Sequence, residues 1–471
     1  MNIHRAIFGL LCILGSVLTA NSFVQSIDPT NEIKESLIEP PFITSRDGVL
    51  TATLKAERKS VRVGNRDVLT VVYNGLFAPP TLRLNRGEVI RLTLINALDK
   101  STNFHTHGLA VSPLGNSDNV FIEVPAGTTF DYEIRIPRNQ EPGTFWYHPH
   151  FHGLTSSQVG GGMSGALIIE GALDKFPAPL RKVKERIILL KDVITTASAT
   201  GEYEHNPDVG NDTGTTRTVN GQVNPVISIS PGETQYWRIA NLSANIYYLL
   251  KLDGHTLLEF AQDGNLLNRI VERQEILLPA ASRRDVFVRG GKTGVYQFRT
   301  LAINTGKAGN NYPEVGLATV VSQGLQQVPL QLPTRLPPVP DMRKLNITNR
   351  RTIIFSESDD PDEYYIDGKM FDHHRVDTTV KLGSVEEWTL VNASDEMHTF
   401  HIHQLDFQVT ELNGKPVEFI GYQDNANMPS NSTIKIIIPF TDPVIVGKFV
   451  YHCHILRHED KGMMATIVVV P

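Results

Sequence analysis

Three stretches of the chain carry the same alternation of apolar and polar residues. They occupy residues 87–96, 232–241 and 383–392, and each has a Gly at its first position and an Asn nine residues later. Alternation with a period of two is typical of a half-buried β-strand. The stretches start 145 and 151 residues apart, which indicates an internal repeat.

Each of these strands follows a dipeptide that is typical of tight hairpin turns. The dipeptides are Asn74-Gly75, Asn220-Gly221 and Asp367-Gly368. A second segment also repeats, since residues 143–150 match residues 447–454 position by position. In the middle copy, residues 294–301, Arg299 and Leu301 stand where the other two copies have histidines. The sequence therefore predicts an all-β protein with three homologous β-sandwich domains in a row.

The predicted domain bounds follow from turn-rich and Pro-rich stretches. The first domain is expected at residues 45–172, the second at 180–325 and the third at 345–471. The Pro-rich residues 326–344 are predicted to form an extended linker. The middle domain lacks the histidine pairs of the other two domains.

Composition supports a globular protein and excludes several other classes. Of the 471 residues, 41% are hydrophobic and 20% are charged, which is ordinary for folded domains and argues against disorder or a coiled coil. The formal net charge is -6, so the chain has no basic footprint for nucleic acid. Two cysteines are too few for a disulfide-stapled fold.

The N-terminal residues are typical of an export signal. His4 and Arg5 precede an apolar run over residues 6–18, and small residues follow at 20–22. Because the run is shorter than the roughly 20 residues of a membrane span, residues 1–22 are predicted to be a signal peptide, with no membrane anchor after its removal. A buried N-terminal helix is the alternative. The expected location is periplasmic or extracellular, where metal ligation would explain the single remaining thiol, Cys453.

Eleven of the 16 histidines lie in four short windows. They are His105 and His107; His148, His150 and His152; His398, His401 and His403; and His452, His454 and His458. A His-x-His pair on a strand places both imidazoles on one face. One such pair is weak evidence for a metal site, but four pairs from two domains predict that the imidazoles converge on one site with several metal ions.

Cys453 lies between His452 and His454, so its sulfur is expected on the opposite face of the strand. The Cys453 sulfur would therefore bind a separate metal ion, together with other ligands. Two histidines, one thiolate and a weak axial thioether describe a blue-copper electron-transfer site. Alternation allows only one of Met463 and Met464 to approach that copper, and the spacing from the preceding histidine favours Met463.

The segments around these histidines resemble the four copper-binding motifs of the multicopper oxidases, and among them the bacterial three-domain, laccase-like enzymes. The resemblance covers most of the mature chain and implies three consecutive cupredoxin-like Greek-key β-sandwich domains, with the middle domain as a spacer. It also implies four copper ions. The type 1 copper would be bound by His398, Cys453, His458 and Met463, the type 2 copper by His105 and His401, and the type 3 pair by His107, His148, His150, His403, His452 and His454.

The resemblance implies that a small-molecule reductant is oxidised one electron at a time at the type 1 copper. Four stored electrons then reduce dioxygen to two waters at the trinuclear site. Asp118 and Glu459 match positions that serve as proton relays in the family, the alternatives being an exposed loop acid and a strand-edge acid.

Several alternatives stay open at the level of sequence. Phenols and aromatic amines are the leading substrates, and Fe(II) or Cu(I) is the alternative if Asp395, Glu396 and Met397 form a metal-ion site rather than a solvated turn. Relatives that have lost copper act as binding or assembly proteins, but the complete ligand set argues against that role here. A copper-storage protein would need a Met-rich stretch, and the chain has only eight Met residues. The oligomeric state is not indicated.

Overall fold

The computed structural model describes residues 35–197, 203–205, 215–358 and 363–471. The predicted signal peptide, residues 1–22, lies outside the described residues. Within them the chain forms 34 β-strands, two short α-helices and three short 3-10 helices. None of the described helices is long and apolar enough to cross a membrane.

The N-terminal third folds as two facing sheets. One sheet has the strand order β1-β4-β9-β8-β6, and the other contains β3-β2-β5-β7. Their elements are β1 (Phe42–Thr44), β2 (Val49–Val63), β3 (Arg66–Tyr73), β4 (Thr81–Leu84), β5 (Val89–Asn96), β6 (His105–His107), β7 (Thr129–Arg135), β8 (Gly143–His148), α1 (Thr155–Gly161) and β9 (Gly165–Ile169), followed by a 3-10 helix at Leu180–Lys182.

The middle third repeats this arrangement. Its sheets have the orders β17-β16-β19-β14-β10, with β12 on β10, and β13-β23-β20-β15-β18, and β21 pairs with β22. The strands are β10 (Lys184–Ala197), β11 (Tyr203–His205), β12 (Thr215–Val219), β13 (Val226–Ile229), β14 (Thr234–Asn241), β15 (Tyr248–Leu252), β16 (Leu257–Gln262), β17 (Asn265–Arg273), β18 (Ile276–Leu278), β19 (Arg283–Arg289), β20 (Gly294–Leu301), β21 (Ile303–Asn304), β22 (Asn311–Tyr312) and β23 (Val315–Ser322).

The C-terminal third has the sheets β25-β24-β27-β32-β29-β30 and β26-β34-β33-β28-β31. Its elements are a 3-10 helix at Met342–Lys344, β24 (Asn349–Glu357), β25 (Tyr364–Ile366), β26 (Thr378–Lys381), β27 (Ser384–Asn392), β28 (His398–Ile402), β29 (Gln408–Leu412), β30 (Lys415–Pro416), β31 (Asn425–Met428), β32 (Ser432–Phe440), a 3-10 helix at Pro443–Ile445, β33 (Gly447–Cys453), α2 (Leu456–Asp460) and β34 (Met464–Val470). The predicted all-β fold of three consecutive sandwiches is confirmed, while the residue-level domain bounds stay a prediction.

The repeated strands β5, β14 and β27 occupy the same place in each sandwich. Each pairs in parallel with the long strand that opens its domain, and antiparallel with a later one. The dipeptides before them form turns in which both residues have positive φ, for example 52° at Asn74 and 67° at Gly75. This backbone is that of a type I′ hairpin turn, which explains why Asn or Asp precedes Gly in all three copies.

The Asn at the end of each repeated strand has one role in all three copies. The side-chain amides of Asn96, Asn241 and Asn392 donate to backbone carbonyls at 2.7–3.1 Å. Their side-chain oxygens accept the backbone N–H two residues later, at 3.0–3.1 Å. The Asn therefore fixes the loop that leads to the next strand, and in the first and last domains that strand carries histidines.

The first and middle domains share one continuous sheet, which the sequence did not predict. The short strand β11 pairs in parallel with β3 and antiparallel with β10. Close to this junction the Lys191 ammonium, buried in β10, donates to the backbone carbonyls of Phe77, Gly162 and Ser164. A middle-domain cation therefore satisfies three carbonyls of the first domain, two of them just after α1.

We predict that Lys191→Met lowers the free energy of unfolding by roughly 3 kcal/mol. Each buried carbonyl that loses its donor costs about 1–3 kcal/mol, and part of this cost is offset because the variant no longer buries an ammonium group. Chemical denaturation of the metal-free protein measures the effect. The exposed Lys184 on the same strand is the matched control, and Lys184→Met should leave the midpoint unchanged. Equal midpoints for the two variants would contradict the role given to Lys191.

Candidate metal centres

Two antiparallel strand pairs bring the histidine windows together. In the first domain β6 pairs with β8, which places His105 opposite His148. In the last domain β28 pairs with β33, which places His401 opposite His452. Side chains at opposed positions of an antiparallel pair lie on the same face of the sheet. Each strand pair thus carries histidines from two distant windows on a common face.

Eight histidines of the first and last domains meet in a group that we call the histidine cluster. Each is at most 2% exposed. Two stacked ring pairs join the domains, His107 with His401 at 3.9 Å and His105 with His403 at 4.1 Å between ring centroids. The members of the cluster are His105, His107, His148, His150, His401, His403, His452 and His454.

The ring nitrogens of the histidine cluster lack the partners that buried imidazoles normally have. The Nε2 atoms of His105, His148 and His401 are buried without a hydrogen-bond partner, as are both ring nitrogens of His454. The Nε2 atom of His452 lies 3.2 Å from Nε2 of His150 and from Nε2 of His403. Buried polar atoms are almost always paired, so unpaired nitrogens that face one another fit metal ions.

Several groups of three cluster histidines bring their ligand atoms within 4.8 Å of one another. They include His105, His107 and His148; His105, His401 and His403; and His150, His403 and His452. Imidazole is a ligand that copper accepts readily. The cluster can therefore hold more than one metal ion.

A second group, which we call the cysteine site, lies on the other face of β33. The Cys453 Sγ atom is 3.6 Å from Nδ1 of His398 and 3.8 Å from Nδ1 of His458, and these two nitrogens are 3.2 Å apart. Burial raises the pKa of the Cys453 thiol and lowers the pKa of both histidines to about 3. Thiolate and imidazole together are the donor set that copper prefers.

The two adjacent methionines have different surroundings. Met463 is fully buried in the same apolar core as Cys453, and its backbone carbonyl accepts the Cys453 N–H at 3.1 Å. Met464 packs instead against Val120 and Val450. This agrees with the alternation expected from the sequence, and the axial role of Met463 stays a prediction.

Asp118 is a buried partner of the histidine cluster rather than an exposed loop acid. Its Oδ1 atom lies 2.9 Å from His105 Nδ1 and accepts the Thr106 N–H at 2.9 Å, while Gln404 donates to Oδ2 at 2.8 Å. Burial raises the pKa of Asp118 from 3.8 to about 8. A carboxyl group in this position can carry a proton at neutral pH and release it.

Glu459 is also buried against the histidine cluster. Its carboxylate lies 3.1 Å from His452 Nδ1 and 3.5 Å from His150 Nδ1, on the far side of these rings from their facing Nε2 atoms. Burial, and then the neighbouring Asp460, raises the pKa of Glu459. The Asp460 carboxylate accepts the backbone N–H groups of Gly153, Thr155 and Ser156, at and just before the start of α1. These bonds tie the last domain to the loop after His150.

Carboxylate and hydroxyl groups also orient the cysteine site. Glu396 Oε1 lies 3.0 Å from His458 Nε2, and Ser394 Oγ lies 2.7 Å from His398 Nε2. The Tyr364 ring stacks on His458 with 4.1 Å between ring centroids. Glu396 is only 4% exposed, so the alternative of a solvated turn is wrong for this residue.

Three residues around the histidine cluster were missed at the level of sequence. Asp424 Oδ1 lies 3.4 Å from His107 Nε2, and Asn425 Nδ2 lies 3.2 Å from the same nitrogen. The third is Arg283, whose guanidinium makes a bidentate pair with Asp424. No motif or period marks any of the three, because tertiary packing alone brings them to the cluster.

Comparison with known proteins agrees with this geometry. Domain profiles described as multicopper oxidase match residues 55–174, 187–323 and 332–471. The "Multicopper oxidase mco" of Staphylococcus haemolyticus is 30% identical over 458 residues, which is 93% of either chain. The chain belongs to the multicopper oxidase family.

The family includes relatives of this chain with different names. "Cell division protein FtsP" of Escherichia coli is 27% identical over 93% of either chain. Among solved structures, a multicopper oxidase from Campylobacter jejuni described as a metallo-oxidase has a TM-score of 0.79 at 26% identity, with 93% of this chain and 95% of that chain covered. A laccase-like multicopper oxidase from Ochrobactrum sp., with oxidase activity towards lignin model compounds, has a TM-score of 0.77 at 26% identity, with 92% and 100% covered. The sandwiches are therefore cupredoxin-like, as the resemblance implied.

The depressed histidine pKa values predict acid sensitivity of the metal-free protein. Burial lowers the pKa of His148, His398 and His458 from 6.5 to about 3. At these three histidines the unfolded chain binds more protons than the folded chain below pH 6.5, so their contribution to stability should fall as the pH is lowered from 7 to 4. A buried carboxyl of raised pKa, such as Asp118, contributes in the opposite direction. Denaturation midpoints across this range measure the fall.

The variant that tests this prediction is His148→Gln, which removes one buried imidazole and should make the midpoint fall less between pH 7 and 4. A His148→Gln midpoint that changes between pH 7 and 4 as much as the wild-type midpoint would show that this buried imidazole does not carry the linkage.

Proposed function

We propose that this chain is a laccase-like multicopper oxidase that couples four one-electron oxidations of a small-molecule reductant to the reduction of dioxygen to two waters. One observation carries the proposal. The cysteine site and the histidine cluster lie on opposite faces of the same strand, β33, and adjacent residues of that strand belong to each. One donor set suits an electron-accepting copper, and the other suits a group of coppers that share imidazole ligands.

The proposed ligands follow the two groups. A type 1 copper would be held by His398, Cys453, His458 and Met463. A type 2 copper would be held by His105 and His401, and a type 3 pair by His107, His148, His150, His403, His452 and His454. Bound copper would supply one-electron redox chemistry at the first site and a four-electron store for dioxygen in total.

The protein's own residues would supply the rest of the site. Cys453 and its two histidine neighbours provide a covalent path of one residue between the two sites. The surrounding core, in which Trp146 and Tyr147 are fully buried, excludes bulk water from the histidine cluster. Glu396 and Ser394 fix the planes of the two imidazoles at the cysteine site.

Asp118 and Glu459 are the proposed proton carriers. Each lies against the outer nitrogen of a cluster histidine, and burial raises the pKa of both carboxyl groups, that of Asp118 to about 8. Asp118→Asn and Glu459→Gln should each slow steady-state oxygen consumption about 100-fold while anaerobic bleaching of the type 1 colour keeps its rate. Glu123→Gln, which alters a carboxylate that bonds Ser101, is the control and should change neither rate.

We predict that Cys453→Ser abolishes both the blue colour and substrate-driven oxygen uptake in copper-loaded protein, because a hydroxyl does not form the copper–thiolate bond that would give the colour and carry the electron. Met463→Leu is the matched control: it removes a weak axial donor and should keep the blue colour. Absorption spectra and oxygen-electrode rates measure both. Retained turnover in Cys453→Ser would refute the electron path.

Phenols and aromatic amines are the proposed substrates. The Glu396 carboxylate, in contact with His458 Nε2, is placed to accept the proton that a phenol loses on oxidation. The second candidate is a metal-ion oxidase, favoured by the neighbouring carboxyl groups of Glu357 and Glu396, since burial and then the Glu396 charge raise the pKa of Glu357 to about 7. A pair of carboxylates at the edge of the cysteine site is also suited to Fe(II).

Oxygen uptake with a dimethoxyphenol, Fe(II) and Cu(I), supplied separately to the copper-loaded protein, decides between the two. We expect the phenol to be fastest and Glu396→Gln to lower its kcat/KM about 100-fold. Asp395→Asn is the control, because Asp395 is half exposed and bonds Asn431 instead. Faster uptake with a metal ion would move the assignment to the metal-ion oxidase.

A role in cell division, which the name of one relative states for that protein, is the less favoured alternative because every proposed ligand position is filled here. Export to the periplasm or the extracellular space is proposed from the N-terminal sequence alone. Four coppers per chain, measured by elemental analysis, would support the oxidase over a copper-free binding protein.

A further inference from the structure

We propose that Arg283, in the middle domain, is a positioning residue of the histidine cluster and acts through Asp424. The inference rests on the proposed copper-bound function, because it concerns how two proposed ligands are held. The resemblance assigned the middle domain the role of a spacer. Arg283 instead connects that domain to the cluster.

Arg283 is the first residue of β19 and is fully buried. Its Nη1 and Nη2 atoms donate to the two carboxylate oxygens of Asp424, each at 2.7 Å. Its Nε atom donates to the Thr144 carbonyl at 3.1 Å, and Nη1 also donates to the Ala281 carbonyl at 3.2 Å. One side chain of the middle domain thus bonds the first and the last domain at once.

Asp424 passes this constraint to two cluster histidines from different domains. Its backbone carbonyl lies 2.8 Å from His401 Nδ1, and its Oδ1 atom lies 3.4 Å from His107 Nε2. Asn425 donates to the same carboxylate and lies 3.2 Å from His107 Nε2. His107 and His401 are the pair that stacks at 3.9 Å, so Asp424 sits where the imidazoles of the two domains meet.

The chain leaves space for this contact directly after His107. A Cβ atom on Gly108 would clash with the Asp424 carboxylate and lie 2.6 Å from Arg283 Nη2. The φ of Gly108 is +88°, a conformation that residues with side chains rarely adopt. Glycine at this position therefore allows the ion pair to pack against the strand that carries His107.

The geometry determines what loss of Arg283 would do. A bidentate guanidinium fixes both the position and the plane of a carboxylate, and removal of one member of a buried ion pair leaves the other uncompensated. Asp424 would then turn toward other donors, and the imidazoles of His107 and His401 would lose a fixed neighbour. Outer partners of metal-binding histidines typically contribute about 10- to 100-fold to metal affinity.

The test compares Arg283→Gln with Arg238→Gln. Arg238 is a matched control, because it is also buried in the middle domain, donates through Nη1 to the Thr144 hydroxyl and pairs with Glu185. Among the described residues no hydrogen bond or ion pair joins Arg238 to a histidine. Copper retained per chain is measured during titration with a chelator, together with the blue absorbance and the electron paramagnetic resonance spectrum of the type 2 copper.

Arg283→Gln should release copper from the histidine cluster about 10- to 100-fold more readily and change the type 2 spectrum, while the blue absorbance persists. Arg238→Gln should match the wild type in all three. If Arg283→Gln does not fold, Arg283→Lys keeps the charge without the bidentate contact and should still weaken retention. A double variant with Asp424→Asn should release copper no faster than the weaker-binding single variant, because the two residues act in series.

Unchanged copper retention and an unchanged type 2 spectrum in Arg283→Gln or Arg283→Lys, with a normally loaded wild type, would overturn this inference alone. Additive losses in the double variant would overturn the route through Asp424. A wild type that binds no copper at the histidine cluster would instead contradict the proposed function.

Discussion

Side-chain alternation along β33 is the constraint on which both metal centres depend. A strand turns successive side chains to opposite faces, so His452 and His454 point to the histidine cluster while Cys453 points to His398 and His458. A shift of one residue in the pairing of β33 with β28 would exchange the two donor sets. The burial of both faces, and the Asn392 bonds that hold the entry to β28, make such a shift costly.

Much of this architecture could be predicted because its signals are local in the chain. The three strand repeats, the turn dipeptides and the His-x-His windows each lie within about ten residues, and a period of two converts them directly into shared faces. The placement of Cys453 opposite its histidine neighbours follows from the same rule. The pairing of His105 with His148 depends on the register between β6 and β8, two strands that are not consecutive in the chain, and the repeat only suggests it.

The residues that sequence reasoning missed are those supplied by packing between distant segments. Arg283 belongs to the domain without histidine pairs, and Asp424 lies in a stretch with no motif, so neither carries a signal of its own. For Glu396 the sequence leaves two interpretations open, a metal-ion site and a solvated turn, because its burial depends on how Asn392 holds the loop before His398. Buried polar partners of this kind are specified by packing between distant segments, which leaves no periodic pattern in the sequence.

The shared sheet of the first and middle domains has a consequence for how the copper-free protein reaches its final form. Backbone hydrogen bonds through β11 oppose hinge rotation between these two domains, and the Lys191 ammonium joins them close to the same junction. The position of Arg283 relative to the first domain, which carries His107, is therefore set as the polypeptide folds. Copper ions would bind to residues that are already in place. The entropy lost in ordering those residues would then be part of the free energy of folding rather than of copper binding.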